Sequence, residues 1–231
     1  MFDQLVGNLE EFRRTKSYDL VTATPLIAWY LLGLVRQFSP IWLRTTELVQ
    51  GRIGLLDLLQ LVALVGSFAL IFLLIYLIVN RRTAQRRTRG LWPRLVAVAG
   101  TFLGNGFLYL DVVRLPLALQ IAADLLILAG AAGSLVAVSW LGRSFALMPE
   151  ARQLVTSGPY AFIRHPLYAA EMIGIAGLML QFKQPWAVIL GALVFGLQYW
   201  RTVFEERVLQ EVYPTYGVYR ERTWRFVPYI F

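Results

Sequence analysis

The chain has 231 residues, of which 58% are hydrophobic and 16% are charged. A soluble domain usually has about 45–50% apolar and about 25% charged residues, so this composition excludes an ordinary soluble enzyme. The net charge of +8 comes from 20 Arg and two Lys, in a chain with one His and no Cys. These counts exclude disulfides, thiol catalysis and a Cys- or His-rich metal site. In a membrane protein such a basic excess indicates topology and contact with anionic membrane lipid, and we expect no nucleic acid partner.

The apolar residues fall into blocks close to the roughly 20 residues that cross a bilayer. The sequence therefore predicts an all-α, polytopic transmembrane bundle of about six spans, over residues 18–38, 55–79, 95–115, 117–141, 167–182 and 186–204. Pro25 and Arg36 interrupt the first block, which leaves open whether it spans fully. Asp124, inside the fourth block, is either a polar contact between helices or a functional acid. Small residues in the third block predict close helix packing: Gly100, Gly104 and Gly106.

Three arginine-rich segments predict the orientation of the bundle. The loop 81–94 holds six arginines, which by the positive-inside rule places it in the cytoplasm. Six spans put the two later segments on the same side, with both termini cytoplasmic. These segments contain Arg143, Arg152 and Arg164, and then Arg207, Arg220, Arg222 and Arg225. The N-terminal residues include acids and no early apolar core, which is not typical of a signal peptide.

The segment 142–168 departs from the pattern of membrane helices and predicts a functional loop. It reads GRSFALMPEARQLVTSGPYAFIRHPLY and contains the single histidine, His165. Pro159 and Pro166 restrict the backbone, and rigid loops beside helices often carry ligand contacts. A second polar cluster lies at the end of the last block. There Arg201 and Glu205 stand four residues apart, so they share a helix face and can pair or flank a ligand.

These motifs resemble those of the isoprenylcysteine carboxyl methyltransferase family and of related phospholipid methyltransferases. The resemblance rests on LVTSGPYAFIRHPLY (154–168), EERVL (205–209), Tyr213, Tyr216, Tyr219 and a closing RFVP. It divides the chain into scaffold helices (1–141) and a methyltransferase-like region (142–231) at the cytoplasmic face. That family uses S-adenosylmethionine inside a helical membrane bundle.

The resemblance implies a set of site residues. The cofactor-binding positions would be Arg152, Gln153, Leu154, Val155, Tyr160, His165, Pro166, Leu167, Tyr168 and Glu205. Arg201 would bind the substrate, and Arg201 with Glu205 would be the catalytic pair. The chain departs from the family at Arg152, where histidine is frequent, and at Ala170, where glycine is usual.

The residue types agree with methyl transfer from a sulfonium. Such a displacement requires alignment and exclusion of water, and a tyrosine ring of Tyr160 or Tyr168 can face the cationic sulfur. Glu205 matches the ammonium group of the cofactor. A carboxylate acceptor is ionised at neutral pH and needs only a positive anchor such as Arg201. An amine or phenol acceptor would need a base, for which Glu206 and His165 are candidates. Glu171 would orient Arg164 or His165, or compensate charge at a helix end.

The sequence thus predicts a membrane methyltransferase that acts on a lipophilic or lipid-linked acceptor, by isoprenylcysteine-type O-methylation or on another group. The short loops and the absence of cysteine suggest a bacterial inner membrane. Two alternatives stay open. The chain's ending also resembles that of NADPH-dependent membrane sterol reductases, although Pro166 and the double acid Glu205–Glu206 favour the methyltransferase. The other alternative is a scaffold or transporter without chemistry.

Overall fold

The apolar blocks form helices in the computed structural model, which describes residues 15–52, 54–88 and 90–229. In chain order the helices are α1 (Lys16–Val49), α2 (Leu55–Asn80), α3 (Trp92–Phe102), α4 (Leu117–Leu141), α5 (Pro166–Gln181), α6 (Trp186–Val212) and α7 (Tyr216–Glu221). Two short strands, β1 (Arg86–Arg87) and β2 (Glu150–Ala151), pair antiparallel with Arg87 opposite Glu150. The predicted all-α membrane bundle is confirmed as a fold class.

Four helical segments of the described chain are long and apolar enough to cross a membrane: Lys16–Val49, Leu55–Asn80, Leu117–Ser144 and Trp186–Val212. The predicted number of about six spans is not confirmed. The third block forms only the 11-residue α3, followed by a 3-10 segment, Leu103–Tyr109. The fifth block forms α5, whose 16 residues extend about 24 Å, less than the roughly 30 Å of a bilayer core.

The first helix is continuous despite its prolines. Thr15 caps it, because its side chain accepts a hydrogen bond from the Tyr18 amide at 3.3 Å. Pro25 and Pro40 both lie inside the 34-residue α1. Membrane helices tolerate proline because neighbouring groups satisfy the freed carbonyls. The interruption expected at Pro25 and Arg36 is therefore absent from the described helix.

The three basic segments meet at one end of the bundle. The Arg82 amide donates to the Arg143 carbonyl at 2.8 Å, and the Arg86 guanidinium lies 2.8 Å from Glu211. At the opposite end, the Val113 amide donates to the Gln181 carbonyl at 2.9 Å. The shared end agrees with the topology argument, whereas its cytoplasmic orientation stays a prediction. The N-terminal residues, from which no signal peptide was expected, lie almost wholly outside the described ranges.

Helices α4 and α5 approach each other through glycines. A Cβ atom added at Gly130 would lie 2.5 Å from the Gly174 nitrogen and 2.8 Å from the Ala170 carbonyl oxygen. A Cβ at Gly177 would lie 2.6 Å from the Ala123 carbonyl oxygen. Such small-residue contacts allow close backbone packing in lipid. This contact sets the position of α5, whose N-terminal end carries the RHPLY motif.

Glycines of the third block and Asp124 have packing roles. Added Cβ atoms at Gly100 and Gly106 would lie 2.9 Å from the Arg201 Cδ and 3.0 Å from Leu190. Asp124 is buried and accepts hydrogen bonds from Gln120 at 3.2 Å and from Gln181 at 2.5 Å. Gln181 belongs to α5, so Asp124 makes a polar contact between helices, as one of the two readings of the sequence expected.

We predict that Gly130→Ala destabilises the bundle. The new methyl group would overlap the α5 backbone, which cannot move without shifting the whole helix, and overpacking of this kind costs about 1–3 kcal/mol. Gly196→Ala in α6 is the matched control, because an added Cβ there meets nothing within 4 Å. Thermal unfolding in detergent should show a lower midpoint for Gly130→Ala alone. Equal midpoints for the two variants would contradict the close approach.

Candidate functional site

The loop between α4 and α5, together with α6 and α7, lines a cavity. We call it the loop cavity. Nine of the ten predicted cofactor-binding residues line it: Arg152, Gln153, Leu154, Val155, Tyr160, His165, Leu167, Tyr168 and Glu205. The tenth, Pro166, is the first residue of α5, where its missing N–H costs no helical hydrogen bond.

A glycine turn positions Tyr160 in the wall of this cavity. Gly158 has φ of +60° and lies against the Trp140 ring, so a side chain at this position would meet both backbone strain and a clash. The Tyr160 hydroxyl lies 3.4 Å from the Ala137 carbonyl oxygen, and the Tyr160 carbonyl accepts from the Tyr219 hydroxyl at 2.7 Å. The GPY motif therefore builds a turn that joins α4 to the C-terminal tail.

Glu206 is the centre of a buried network of charges. Its carboxylate lies 3.0 Å from Arg164 Nε, 3.1 Å from His165 Nε2 and 3.0 Å from Arg225 Nη2. The tail also pairs with the loop through its backbone, because the amides of Arg164 and His165 donate to the Trp224 and Arg225 carbonyls at 2.7 and 3.1 Å. Glu206 thus joins the loop, α6 and the tail, and its oxygens are engaged by these three side chains rather than placed as a base.

Glu205 faces the loop cavity instead. Its carboxylate accepts a hydrogen bond from the Tyr168 hydroxyl, and its other oxygen lies 3.8 Å from His165 Nδ1. The His165 and Tyr168 rings stack with their centroids 5.7 Å apart. The two consecutive residues on α6 therefore have different roles. Glu206 joins the loop, α6 and the tail, and Glu205 presents a hydrogen-bond acceptor to the cavity.

Arg152 lines the cavity but points its guanidinium into a second charge network. Its Nη2 atom lies 2.9 Å from Asp19 on α1 and 2.7 Å from Glu150. Asp19 also receives Arg81 at 2.7 Å and Arg87 at 3.0 Å. The arginine that replaces the family's frequent histidine is therefore occupied in joining α1 to the loop.

Tyrosine hydroxyls in the cavity wall remain protonated. Burial, reinforced by the nearby Glu205 charge, raises the pKa of Tyr160 well above its usual value. Burial also raises the pKa of Tyr219 to about 12. Neither phenol is a base at neutral pH.

Tyr216 lines the same cavity with only 1% of its surface exposed, and its hydroxyl has no hydrogen-bond partner among the described residues. Buried hydroxyls are usually hydrogen-bonded, and a polar ligand in the cavity would provide a partner for this one.

A second cavity lies among the helices themselves. We call it the bundle cavity. Its walls are mostly apolar, and its polar groups include Glu171, Gln198 and Arg201. Arg201 is buried, and its Nη1 and Nη2 atoms donate to Gln198 at 2.9 Å and to the Leu147 carbonyl at 3.1 Å. Glu171 accepts a hydrogen bond from Gln198. Its expected partnership with Arg164 or His165 was therefore wrong, because its helix face turns it into the bundle.

The two cavities share Leu167 and Tyr168 as a common wall. The Arg201 guanidinium lies 4.7 Å from the centroid of the Tyr168 ring, on the bundle side. Glu205 binds the hydroxyl of the same tyrosine on the loop side. The sequence predicted that Arg201 and Glu205 either pair with each other or flank a ligand. They form no ion pair with each other within the described chain, and both contact Tyr168 instead.

Sequence reasoning missed several residues that line the loop cavity. Leu141 lies outside every motif, whereas Ser144, Ala146 and Met148 belong to the segment 142–168 and Leu209 ends the motif EERVL. None of these residues was assigned to a ligand site from the sequence. Tyr216 and Tyr219 were recognised only as part of the tail motif. The tail arginines differ in their contacts, since Arg225 binds Glu206 whereas Arg220 and Arg222 are exposed.

Comparison with known proteins identifies a similar family. The family model described as phospholipid methyltransferase matches residues 118–216, from the start of α4 to the start of α7. This segment, less than half of the chain, is similar to the phospholipid methyltransferase family. The matched segment contains the loop cavity motifs and both Arg201 and Glu205. Together with its apolar helices, it identifies the chain as an integral membrane protein.

Two curated relatives each match about a third of this chain. The cobalt-zinc-cadmium resistance protein CzcN of Cupriavidus metallidurans is 40% identical over 76 residues, which cover 32% of this chain and 35% of that protein. The nickel-cobalt-cadmium resistance protein NccN of Alcaligenes xylosoxydans xylosoxydans is 35% identical over 80 residues, which cover 34% and 38%. The chain thus spans little more than a third of the relatives' length. Within the described ranges, no group of three His, Asp or Glu side chains is placed to hold a metal ion.

We predict that Glu206→Gln releases the C-terminal tail. The amide cannot neutralise Arg164 and Arg225, and breaking a buried ion pair costs about 3–5 kcal/mol. Hydrogen–deuterium exchange should increase in residues 222–229 and in the loop 162–165. The control is Glu221→Gln, which removes an exposed acid from α7. Unchanged tail exchange in a folded Glu206→Gln protein would contradict the network.

Proposed function

We propose that this chain is an S-adenosylmethionine-dependent methyltransferase that methylates a lipophilic acceptor inside the membrane. The observation that carries the proposal is the pair of cavities that meet at Tyr168, one beside the polar loop and one among apolar helices. A methyl group has to pass between a water-soluble cofactor and a lipid-soluble acceptor. This arrangement brings the two types of binding site into contact across one side chain.

The residues of the loop cavity fit the cofactor. S-adenosylmethionine supplies an activated methyl group on a sulfonium, and it also carries an ammonium, a carboxylate and an adenosine. Glu205 offers a carboxylate to the ammonium, and Tyr216 offers a buried hydroxyl without a partner. Leu154, Val155 and Leu209 provide apolar surface for a base. The rings of Tyr160 and Tyr168 provide π faces for a cation.

The bundle cavity fits a lipophilic acceptor with a polar head. Its apolar walls match a hydrocarbon chain, and Arg201 lies where the two cavities meet. The Arg201 Nε atom has no hydrogen-bond partner in the described part of the chain, so one donor of this buried cation is available. We infer that Arg201 binds an acceptor carboxylate, as in isoprenylcysteine-type O-methylation. Lateral entry from lipid would follow from the position of this cavity among the helices.

The protein's contribution to the reaction is alignment and exclusion of water. Arg201 holds the acceptor carboxylate, which is already ionised at neutral pH and needs no base. Bound S-adenosylmethionine would supply the methyl group to an oxygen of this carboxylate and would leave as S-adenosylhomocysteine. Glu205 and the loop hold the donor in line. The buried Tyr168 wall keeps water out of the contact.

We predict that the purified protein binds S-adenosylhomocysteine and that Glu205→Gln weakens this binding about tenfold or more, because a charge-assisted hydrogen bond is lost. Isothermal titration calorimetry in detergent measures both. Glu211→Gln is the matched control, since Glu211 lies on the same helix, is half exposed and pairs with Arg86 outside the cavity.

Two results would overturn the proposal. Folded wild-type protein that does not bind S-adenosylhomocysteine would exclude the cofactor. Protection from thermal unfolding by NADPH, without protection by S-adenosylhomocysteine, would favour a membrane reductase.

We further predict that Arg201→Met impairs the acceptor side alone. S-adenosylhomocysteine affinity should stay within about twofold, whereas kcat/KM for a prenylated cysteine carboxylate should fall about a hundredfold, as expected when a buried charge partner is removed. Arg207→Met is the control, because Arg207 is an exposed arginine on the same helix. The carboxamide analogue of the acceptor should be inert with all three proteins. Equal losses of cofactor affinity and turnover in Arg201→Met would contradict the assignment of Arg201 to the acceptor.

A further inference from the structure

A third cavity lies at the basic end of the bundle. We call it the basic groove. Among the described residues, five cationic side chains and no carboxylate line it: Lys16, Arg81, Arg82, Arg143 and Arg152. These residues come from the start of α1, the end of α2 and the loop after α4. The fold therefore gathers cations from three distant parts of the sequence around one open space.

The charges around the groove do not cancel. Asp19 and Glu150 neutralise part of the cluster, and both are already shared among Arg81, Arg87 and Arg152. In the described part of the chain, Lys16, Arg82 and Arg143 have no carboxylate at ion-pair distance. Six cations are therefore held near two carboxylates, at a site that bundle formation itself creates. Such an excess attracts anions and is stabilised when one binds.

Backbone contacts hold the uncompensated cations in place. Lys16 Nζ donates to the Arg81 carbonyl at 2.5 Å, and Arg143 Nε donates to the Asn80 carbonyl at 2.8 Å. The Arg82 amide donates to the Arg143 carbonyl at 2.8 Å, which joins the two arginines through their backbones. The Arg82 guanidinium itself is exposed. The groove is thus already shaped, and the bound anion need not organise it.

We propose that the basic groove binds a phosphate-bearing anion, either the headgroup of an anionic lipid or soluble phosphate. Guanidinium groups match phosphate oxygens in geometry and charge. The groove lies at the ends of the long helices α1, α2 and α4, the level at which lipid headgroups meet basic residues. The basic groove is separate from the loop cavity. Arg152 and Gln153 line both spaces and lie between them. S-adenosylmethionine carries no phosphate, so this site does not depend on the proposed methyl transfer.

The test measures the thermal unfolding midpoint of the full chain in a zwitterionic detergent. The probes are inorganic phosphate against chloride at equal ionic strength, and short-chain phosphatidylglycerol against short-chain phosphatidylcholine. Each titration is repeated for Arg82→Gln and for Arg222→Gln, a charge-matched control that removes an exposed tail arginine outside the groove.

We expect saturable stabilisation that Arg82→Gln weakens about fivefold in apparent affinity, as for an exposed ion pair, and that Arg222→Gln leaves unchanged. Stabilisation by phosphatidylglycerol alone would assign a lipid headgroup, and stabilisation by phosphate as well would assign a soluble anion. Lys16→Gln, which removes a second groove cation, should repeat the loss. The proposal is overturned if neither anion stabilises the protein, or if Arg82→Gln and Arg222→Gln respond equally to the anions. Competitive displacement of the anion by S-adenosylhomocysteine would also overturn it.

Discussion

The site depends on the neutralisation of Glu206 by Arg164, His165 and Arg225. In a membrane protein an unpaired buried charge is costly, so charges from different segments have to find one another. Here that requirement brings the loop before α5, the end of α6 and the C-terminal tail to one point. The neighbouring Glu205 is then left free to face the loop cavity. The need to neutralise Glu206 therefore determines how Glu205 and its neighbours are arranged in the wall of the loop cavity.

Asp19 plays the same part for the other wall. It accepts Arg81, Arg87 and Arg152, which come from α2, from β1 and from the segment after β2. The pairing of β1 with β2 places Arg87 opposite Glu150 and completes this network. The two carboxylates, Asp19 and Glu206, thus hold opposite sides of the loop cavity. The Asp19 side retains excess positive charge, because six cations of the described residues lie there near two acids.

The third constraint is the contact of α4 with α5 at Gly130, Gly174 and Gly177. It sets the depth at which Tyr168 lies, between the loop cavity and the bundle cavity. Arg201 and Glu205 approach this tyrosine from opposite sides because they are one turn apart on α6. A single buried side chain then separates a polar ligand site from an apolar one. That separation is what transfer between a soluble donor and a lipid-soluble acceptor requires.

The sequence alone determined the membrane class, since long apolar blocks have no other stable environment, and it identified the loop residues, since proline, glycine and the single histidine mark a rigid turn. It did not determine the number of spans: Gly104 and Gly106 lie in a 3-10 segment rather than in a long helix. The resemblance pointed to Glu205, but the sequence did not indicate the structural role of Glu206 or the partner of Glu171. Two neighbouring residues of the same type differ only in what their side chains face, which the fold decides. Long-range ion pairs such as Arg152 with Asp19 form only once the helices are packed.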